Sequence, residues 1–346
     1  MNQVSIQGES VAAYCCASLL HKAGVAFGRE VLTRPKLPAI MIGQTAQRLL
    51  MDIFPQAALF AGMPQISKRV VKWGASKAVA LPHSAVVASE QTLLERMEEL
   101  FPRTSLAGNK MAHWRILSSR PLPEVSEDLH FGERLAEAAT VNLKPGYDRD
   151  ASWVESLENG WLFLLPNNED GWLLSVGAAS EELLAQSSLI ARQILSVGAD
   201  ARKFACHPRI ADPLCGARWL ACGSAALGFD PLCGDGSGYA AREAILAAAV
   251  VRAAAQGCDV NELLAHYQTR LLAGFQKHLE VCAEFYRSGR SGPWWQEQIK
   301  ATEQGLLWCR AKLANAGEFK FRLNGFSLER LMPMSQQASI QPHMPI

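Results

Sequence analysis

Between Gly223 and Gly236 the chain reads GSAALGFDPLCGDG, and the Ala-rich segment YAAREAILAAAVVRAAAQG follows almost at once. Trp219–Cys222 just ahead reads as a short buried strand, and Gly223 lets the backbone turn with no side chain in the way. Pro231, Gly234, Gly236 and Gly238 enforce an irregular loop, and a helix from about Tyr239 directs its unpaired amides into that loop. Helix amino ends attract anions and electron-rich carbonyls. Two readings are open here: a strand-to-helix connection that only packs tightly, or backbone brought close to a ligand.

The amino terminus carries a second turn of this kind. Gln3–Gln7 alternates like a strand, Gly8-Glu9-Ser10 turns, and an apolar helix over Val11–Lys22 is closed by Gly24. This is the βα opening of a dinucleotide-binding fold, with Gly8, Ser10 and Ala13 spelling GxSxxA where GxGxxG is usual. Ser10 narrows the gap through which backbone approaches a pyrophosphate. Glu30 lies 22 residues after Gly8, where a ribose-binding acid is expected, behind a short strand at Val25–Phe27. It reads equally well as a solvated surface acid.

With 346 residues, 49% of them hydrophobic and 19% charged, the chain can bury a large core. Its 34 basic and 33 acidic residues give a net charge of +1 with no basic run, which excludes a nucleic-acid footprint. The apolar runs Val11–Leu20 and Ala244–Ala255 fall short of the roughly 20 residues that cross a bilayer, so both read as buried helices and no membrane partner is expected. No basic region precedes the first run, and a cytoplasmic location is the expectation. The nine cysteines form no CxxC pair and have no histidine at zinc-finger spacing, so they read as reduced core thiols with no metal site. Cys233 stands apart, beside a helix amino end where a thiol pKa can fall.

Further along, Gln65–Val87 suggests strands of a second sheet, and Ser89–Phe101 an amphipathic helix with apolar positions at 93, 94, 97 and 100. Gly160–Pro166 pairs with Trp172–Val176 across a turn at 167–171, placing Trp161, Phe163 and Leu165 on one strand face. That face suits an aromatic lid over a pocket or a plain core strand. Helices are expected over Glu181–Ser196, Asn261–Tyr286 and Trp294–Ala314. His207 reads either as a proton donor or as a satisfied histidine.

Asp230, Pro231, Leu232, Gly234 and Gly236 resemble the DPLxGxG part of the GDAA…DPLxGxG segment of FAD-dependent aromatic hydroxylases and of the tryptophan-halogenase superfamily. The resemblance implies a three-layer α/β, Rossmann-like FAD-binding domain over 1–64, 88–125 and 200–260. A mostly antiparallel substrate-side sheet is inserted over 65–87 and 126–199, followed by a helical region over 261–330 and a tail over 331–346. It also places Gly223 and Ser224 against the flavin, with Ser224 where the family has Asp. Ile42–Leu50, with Gly43, Gln44 and Thr45, resembles the GEST segment that lies against the flavin. Ala88-Ser89-Glu90 stands where relatives carry a phosphate-contacting Arg, and Ser118-Ser119-Arg120 where they have a strand ending in DASGR.

The implied activity is that of an FAD-dependent oxidoreductase, monooxygenase-like, acting on an aromatic or indole-type substrate. Lys77 in KWGASKA lacks the aromatic setting of a halogenase lysine. The pattern is closer to flavoproteins that hydroxylate protein-bound tryptophan during the maturation of quinone-cofactor oxidases. A partner protein bearing the target residue, or a small aromatic substrate, and a flavin reductase are therefore the implied partners. The rival expectation is a catalytically degenerate flavin-fold protein acting as a binding or scaffold subunit. The substitutions at Ser10, Ala88-Ser89, Ser118-Ser119 and Ser224 motivate it.

Overall fold

The computed structural model describes residues 4–55, 58–99, 113–167, 170–317 and 319–331. The tail expected beyond 331, the end of the helix at Phe101 and the turn residues Asn168 and Glu169 lie outside that set.

Small and apolar residues close to the amino terminus build a βα unit. The strand Val4–Gln7 is buried throughout and pairs in parallel with Phe27–Glu30 on one side and Trp114–Leu117 on the other. Trp219–Ala221 extends the sheet in parallel, and Cys215–Gly216 closes it antiparallel. Helix α1 (Val11–Lys22) begins at Ser10, whose Oγ accepts the Ala13 amide, and Gly24 leaves it in the left-handed region at φ +67°. The second strand covers Phe27–Glu30 rather than Val25–Phe27, because Val25 still bonds back to the helix carbonyl of Leu20.

A larger sheet of nine strands forms the second layer. Its order runs Ile194–Val197, Leu135–Leu143, Asp170–Gly177, Gly160–Asn167, Ala151–Leu157, Gln65–Lys72, Val79–Ala88 and Ile40–Gly43, with Arg202–Ala205 also on Leu135–Leu143. Only the Gln65–Lys72 and Ala151–Leu157 neighbours run parallel. Ile40–Gly43 and Arg202–Ala205 come from stretches expected on the cofactor side, yet both join this sheet. The fold is the α/β class expected, with parallel and mostly antiparallel sheets and carboxy-terminal helices.

The described residues contain six further α-helices, α2 (Gln44–Ile53), α3 (Glu90–Glu98), α4 (Ser180–Gln186), α5 (Gly236–Ala255), α6 (Val260–Arg287) and α7 (Pro293–Ala314), and two smaller antiparallel sheets. Helix α5 starts three residues before Tyr239, capped at Asp235. Its Ala244–Val251 face is buried against α1, α2 and α6, where small side chains permit close approach. Helix α7 is fixed to the large sheet by the fully buried Trp295, whose Nε1 donates to the Leu157 and Glu158 carbonyls at 2.9 and 3.0 Å.

The helix expected over Glu181–Ser196 ends at Gln186. The reason lies some 30 residues upstream in the buried Glu155, whose carboxylate accepts the amides of Ser188, Leu189 and Ile190 at 3.0–3.1 Å. It also accepts the Ser187 hydroxyl and pairs with Lys72 at 3.3 Å. These donors pull the chain out of helical hydrogen bonding into a turn, and the strand Ile194–Val197 follows. Burial alone would raise the Glu155 pKa, but the Ser187 hydroxyl and the amides outweigh it and hold the group ionised. Glu155→Ala strands these donors, so urea unfolding should show a loss of about 3–5 kcal/mol.

Candidate functional site

Four parallel strands end side by side, and the chain after three of them, Val4–Gln7, Phe27–Glu30 and Trp219–Ala221, forms one wall of a cavity of about 580 Å³. Open α/β sheets bind ligands at the carboxyl ends of their strands, and the volume is that of a small-molecule site. Ser10, Val11 and Ala12 reach it from the start of α1, and Gly223 and Ser224 from the loop after Trp219–Ala221. The opposite wall is the apolar face of the large sheet, including Phe163, Leu165 and Trp172. Trp161 does not join them; it is buried in a cluster with Tyr286 and Trp295. The third side is the loop from Leu227 to Gly236 and the first turn of α5.

The first wall is held by short-range bonding. At Gly8, φ is +110° and a Cβ would lie 2.2 Å from Ser119 Oγ, so glycine is required for the turn to pack on the neighbouring strand end. Ser10 Oγ donates to Ser118 Oγ at 3.0 Å, and Ser118 Oγ donates to the Gln7 carbonyl at 2.9 Å. Ser118 and Ser119 thus close the gap that a glycine would leave open. Gly223, at φ +60°, faces Ala12, and its amide donates to Glu243 Oε2 at 2.6 Å.

The loop at Asp230 has its own anchor. The Asp230 carboxylate and the Arg134 guanidinium are both without solvent exposure and lie 3.0 Å apart as an ion pair. Tyr286 donates its hydroxyl to Asp230 at 2.7 Å, and the Leu232 amide donates to it at 2.9 Å. Pro231 starts a short 3-10 turn to Cys233, and Gly234 ends it in the left-handed region at φ +61°. Asp235 pairs with Arg242 and caps α5, while Gly236 has open space where a side chain would stand.

Ser10, Gly223, Ser224, Asp230, Pro231, Gly234 and Gly236 therefore meet at one cavity. Gly8 lies behind it, and Ala13 is buried in α1. Glu30 ends its strand exposed, with its carbonyl accepting the Gly8 amide at 2.8 Å. Gly43 caps α2, and Gln44 and Thr45 are exposed on its first turn; Ile40 and Met41 of the same segment are the ones that line the cavity. His207 lines it too, 2.9 Å from His130, and burial followed by that neighbour lowers its pKa. A neutral histidine is therefore the form present at neutral pH.

Two features escaped the sequence. Glu243 sits on the cavity wall within the Ala-rich helix, where burial raises its pKa to about 8 against the pull of the Gly223 amide. Its Oε1 is buried with no hydrogen-bond partner among the described residues. Cys233, His278 and Cys282 also come together, their Sγ and ring-nitrogen atoms within 4.8 Å of one another. The signal was the four-residue spacing of His278 and Cys282 on α6, which puts both on one helix face.

No protein-family model matches the sequence, and no curated protein matches it. Solved structures do. The peptidyl tryptophan dihydroxylase QhpG, described as essential for tryptophylquinone cofactor biogenesis, matches with TM-score 0.72 and 15% identity over 95% of this chain and 86% of its own. The flavin-dependent halogenase CmlS matches with TM-score 0.72 and 16% identity over 91% and 71%. The 2,6-dihydroxypyridine-3-hydroxylase from Arthrobacter nicotinovorans matches with TM-score 0.62 and 15% identity over 84% and 94%. The chain has the fold of the FAD-dependent monooxygenases and halogenases. No helix among its described residues is long and apolar enough to cross a membrane.

The flavoprotein-like cavity thus contains a carboxylic acid that stays protonated at neutral pH. Between the ordinary value of 4.5 and about 8 the folded chain holds a proton that the unfolded chain has lost. Glu243 therefore makes stability fall as pH rises through that window, by up to ~1.4 kcal/mol per pH unit. Glu243→Gln should flatten the decline, read as urea midpoints at about pH 5 and about pH 8; an unchanged slope would assign the titration to another group.

Proposed function

We propose that the protein is an FAD-dependent oxidoreductase of the monooxygenase type that acts on an aromatic or indole-type group. The observation that carries this reading is the cavity itself, with strand-end loops on one side and the Phe163, Leu165 and Trp172 face on the other. An apolar ring system fits between them, with the protonated Glu243 carboxyl buried in the adjoining wall. In this reading the cofactor side is drawn from 1–64, 88–125 and 200–260, apart from Ile40–Gly43 and Arg202–Ala205, which pair into the sheet of the substrate side, 65–87 and 126–199.

The residues present fit a flavin as follows. Gly223 and Ser224 and the 230–236 loop hold the ring end, and the start of α1 holds the phosphate end. Gly8 and Ala13 shape the turn and the first helix behind the phosphate end, whereas Glu30, Gly43, Gln44 and Thr45 do not line the cavity. When bound, FAD supplies the oxidation–reduction chemistry. The protein orients the ring against the sheet, excludes water with Phe163 and Trp172, and keeps a proton on Glu243. A reductase supplying reduced flavin is the expected partner. QhpG acts on a peptidyl tryptophan, and its likeness supports a protein-bound tryptophan as the substrate, ahead of a free aromatic compound.

One observation favours a second reading, a binding or scaffold subunit. Ser10 Oγ already caps the Ala13 amide and is tied to Ser118, so that hydroxyl and that amide are taken up without a phosphate. FAD titration of the purified protein by fluorescence quenching separates the two. Saturable one-to-one binding with a dissociation constant in the micromolar range or below supports the flavoenzyme, and no binding at high micromolar FAD supports the scaffold. Ser10→Gly and Ser224→Asp should each tighten FAD about tenfold, equivalent to ~1.4 kcal/mol. Unchanged affinity in both variants would overturn the assignment of these positions to the cofactor.

A further inference from the structure

The wall formed by the 231–234 turn carries a chemistry that flavin binding does not use. Cys233 Sγ lies 3.6 Å from Cys282 Sγ, although the residues are 49 apart in sequence. Cys233 is half-buried and lines the cavity, whereas Cys282 is fully buried behind it on α6. A reagent in the cavity therefore reaches Cys233 first. Closing 3.6 Å to the ~2.05 Å of a disulfide asks for a small movement of the short turn that carries Cys233.

The surroundings separate the two thiols chemically. The Cys282 thiol donates to Cys233, so the Cys233 pKa falls to about 6 in spite of burial. The Arg69 guanidinium on the large sheet faces the same turn, near Gly234. The opposing charge is Asp230, which is held by Arg134, and Tyr239 stands on α5. Cys282 is pushed the other way, well above an ordinary thiol, chiefly because its proton is the one shared with Cys233. One accessible thiolate backed by one protonated thiol is the arrangement of an attacking and a resolving cysteine.

The same three side chains could be read as a metal site, but His278 argues against it. Its Nε2 accepts the Asp230 amide at 2.9 Å, and that amide is fixed by the buried Asp230 carboxylate. A metal would have to displace this bond, whereas a disulfide requires nothing from the histidine. Cys16 and Cys222 also lie close, but both are fully buried and neither lines the cavity.

We propose that Cys233 and Cys282 form a thiol–disulfide exchange site that takes small-molecule disulfides of the glutathione class through the cavity. The Cys233 thiolate attacks one sulfur of the disulfide, the S–S bond breaks, and the leaving thiolate takes a proton from solvent. Cys282 then attacks Cys233 Sγ in the mixed disulfide. The second thiolate leaves with the Cys282 proton. The substrate is reduced to two thiols, and the protein pair is oxidised by two electrons to a disulfide that ties the 231–234 turn to α6.

The test uses the full chain, reduced and desalted, in glutathione buffers of rising disulfide-to-thiol ratio, with acid quench, alkylation and mass spectrometry. Two of the nine alkylatable thiols should disappear together, and peptide mapping should place the cross-link at Cys233–Cys282. Cys282→Ser should stop at the first step, carrying one glutathione on Cys233, and Cys233→Ser should leave Cys282 unmodified. On the wild-type chain, Cys233 should alkylate with a pH midpoint near 6, a readout that needs no variant and no flavin. All nine thiols remaining free at high oxidised glutathione would overturn the proposal. So would glutathione accumulating at other cysteines, or stoichiometric zinc that shields both thiols.

Discussion

The Asp230–Arg134 ion pair ties together more of this fold than any other polar contact. Arg134 immediately precedes the long strand Leu135–Leu143, Asp230 sits in the loop before α5, Tyr286 ends α6, and Gln298 on α7 accepts from Arg134 at 2.8 Å. A buried pair is stable only when both charges find further partners, because desolvation costs several kcal/mol per ion. Here Tyr286, the Leu232 amide and Gln298 provide them. The large sheet, the loop before α5 and helices α6 and α7 are thereby tied at one point beside the cavity.

This anchor changes what the DPLxGxG-like loop means. Its aspartate turns inward to the protein and its Pro231–Cys233 turn faces outward to the cavity. The loop is consequently rigid at its start, while its glycines leave room at its end: Gly236 has no atom within 4 Å of where a side chain would be. A similar division appears at the amino terminus. Gly8 is required for packing on Ser119, whereas Ser10 binds Ser118 and the Ala13 amide. Serines fill these positions with internal hydrogen bonds, while the opposite side of the cavity keeps an apolar wall of Phe163, Leu165 and Trp172.

Local elements were readable in the sequence. The limits of α1 and the Gly24 turn follow from apolar periodicity and helix-stop chemistry, and the Gly160–Gly177 hairpin from alternation around a polar turn. What was not readable depended on distant partners. The helix expected to continue to Ser196 is stopped by Glu155, a residue on another strand whose acceptors compete for its amides. Ile40–Gly43 looks like a cofactor-side segment until Val79–Ala88 pairs with it. Glu243 looks like one polar position in an alanine-rich helix, and only the approach of Gly223 shows that it faces a cavity.

These late-appearing groups sit on one side of the pocket. The parallel strands supply backbone turns and hydroxyls, while the groups with displaced proton affinities, Glu243 and Cys233, come from α5 and the turn before it, with Cys282 and His278 behind on α6. Both displacements arise from the same packing: α5 and α6 lie against the loops closely enough to exclude water, which keeps the carboxylic acid neutral, yet the neighbouring Cys282 thiol compensates the Cys233 charge. A helix wall that stores a proton beside a wall that exposes a thiolate gives the cavity two independent reactive edges. Because Glu243 bonds Gly223 while Cys233 bonds Cys282, each edge can be altered without removing the other's partner.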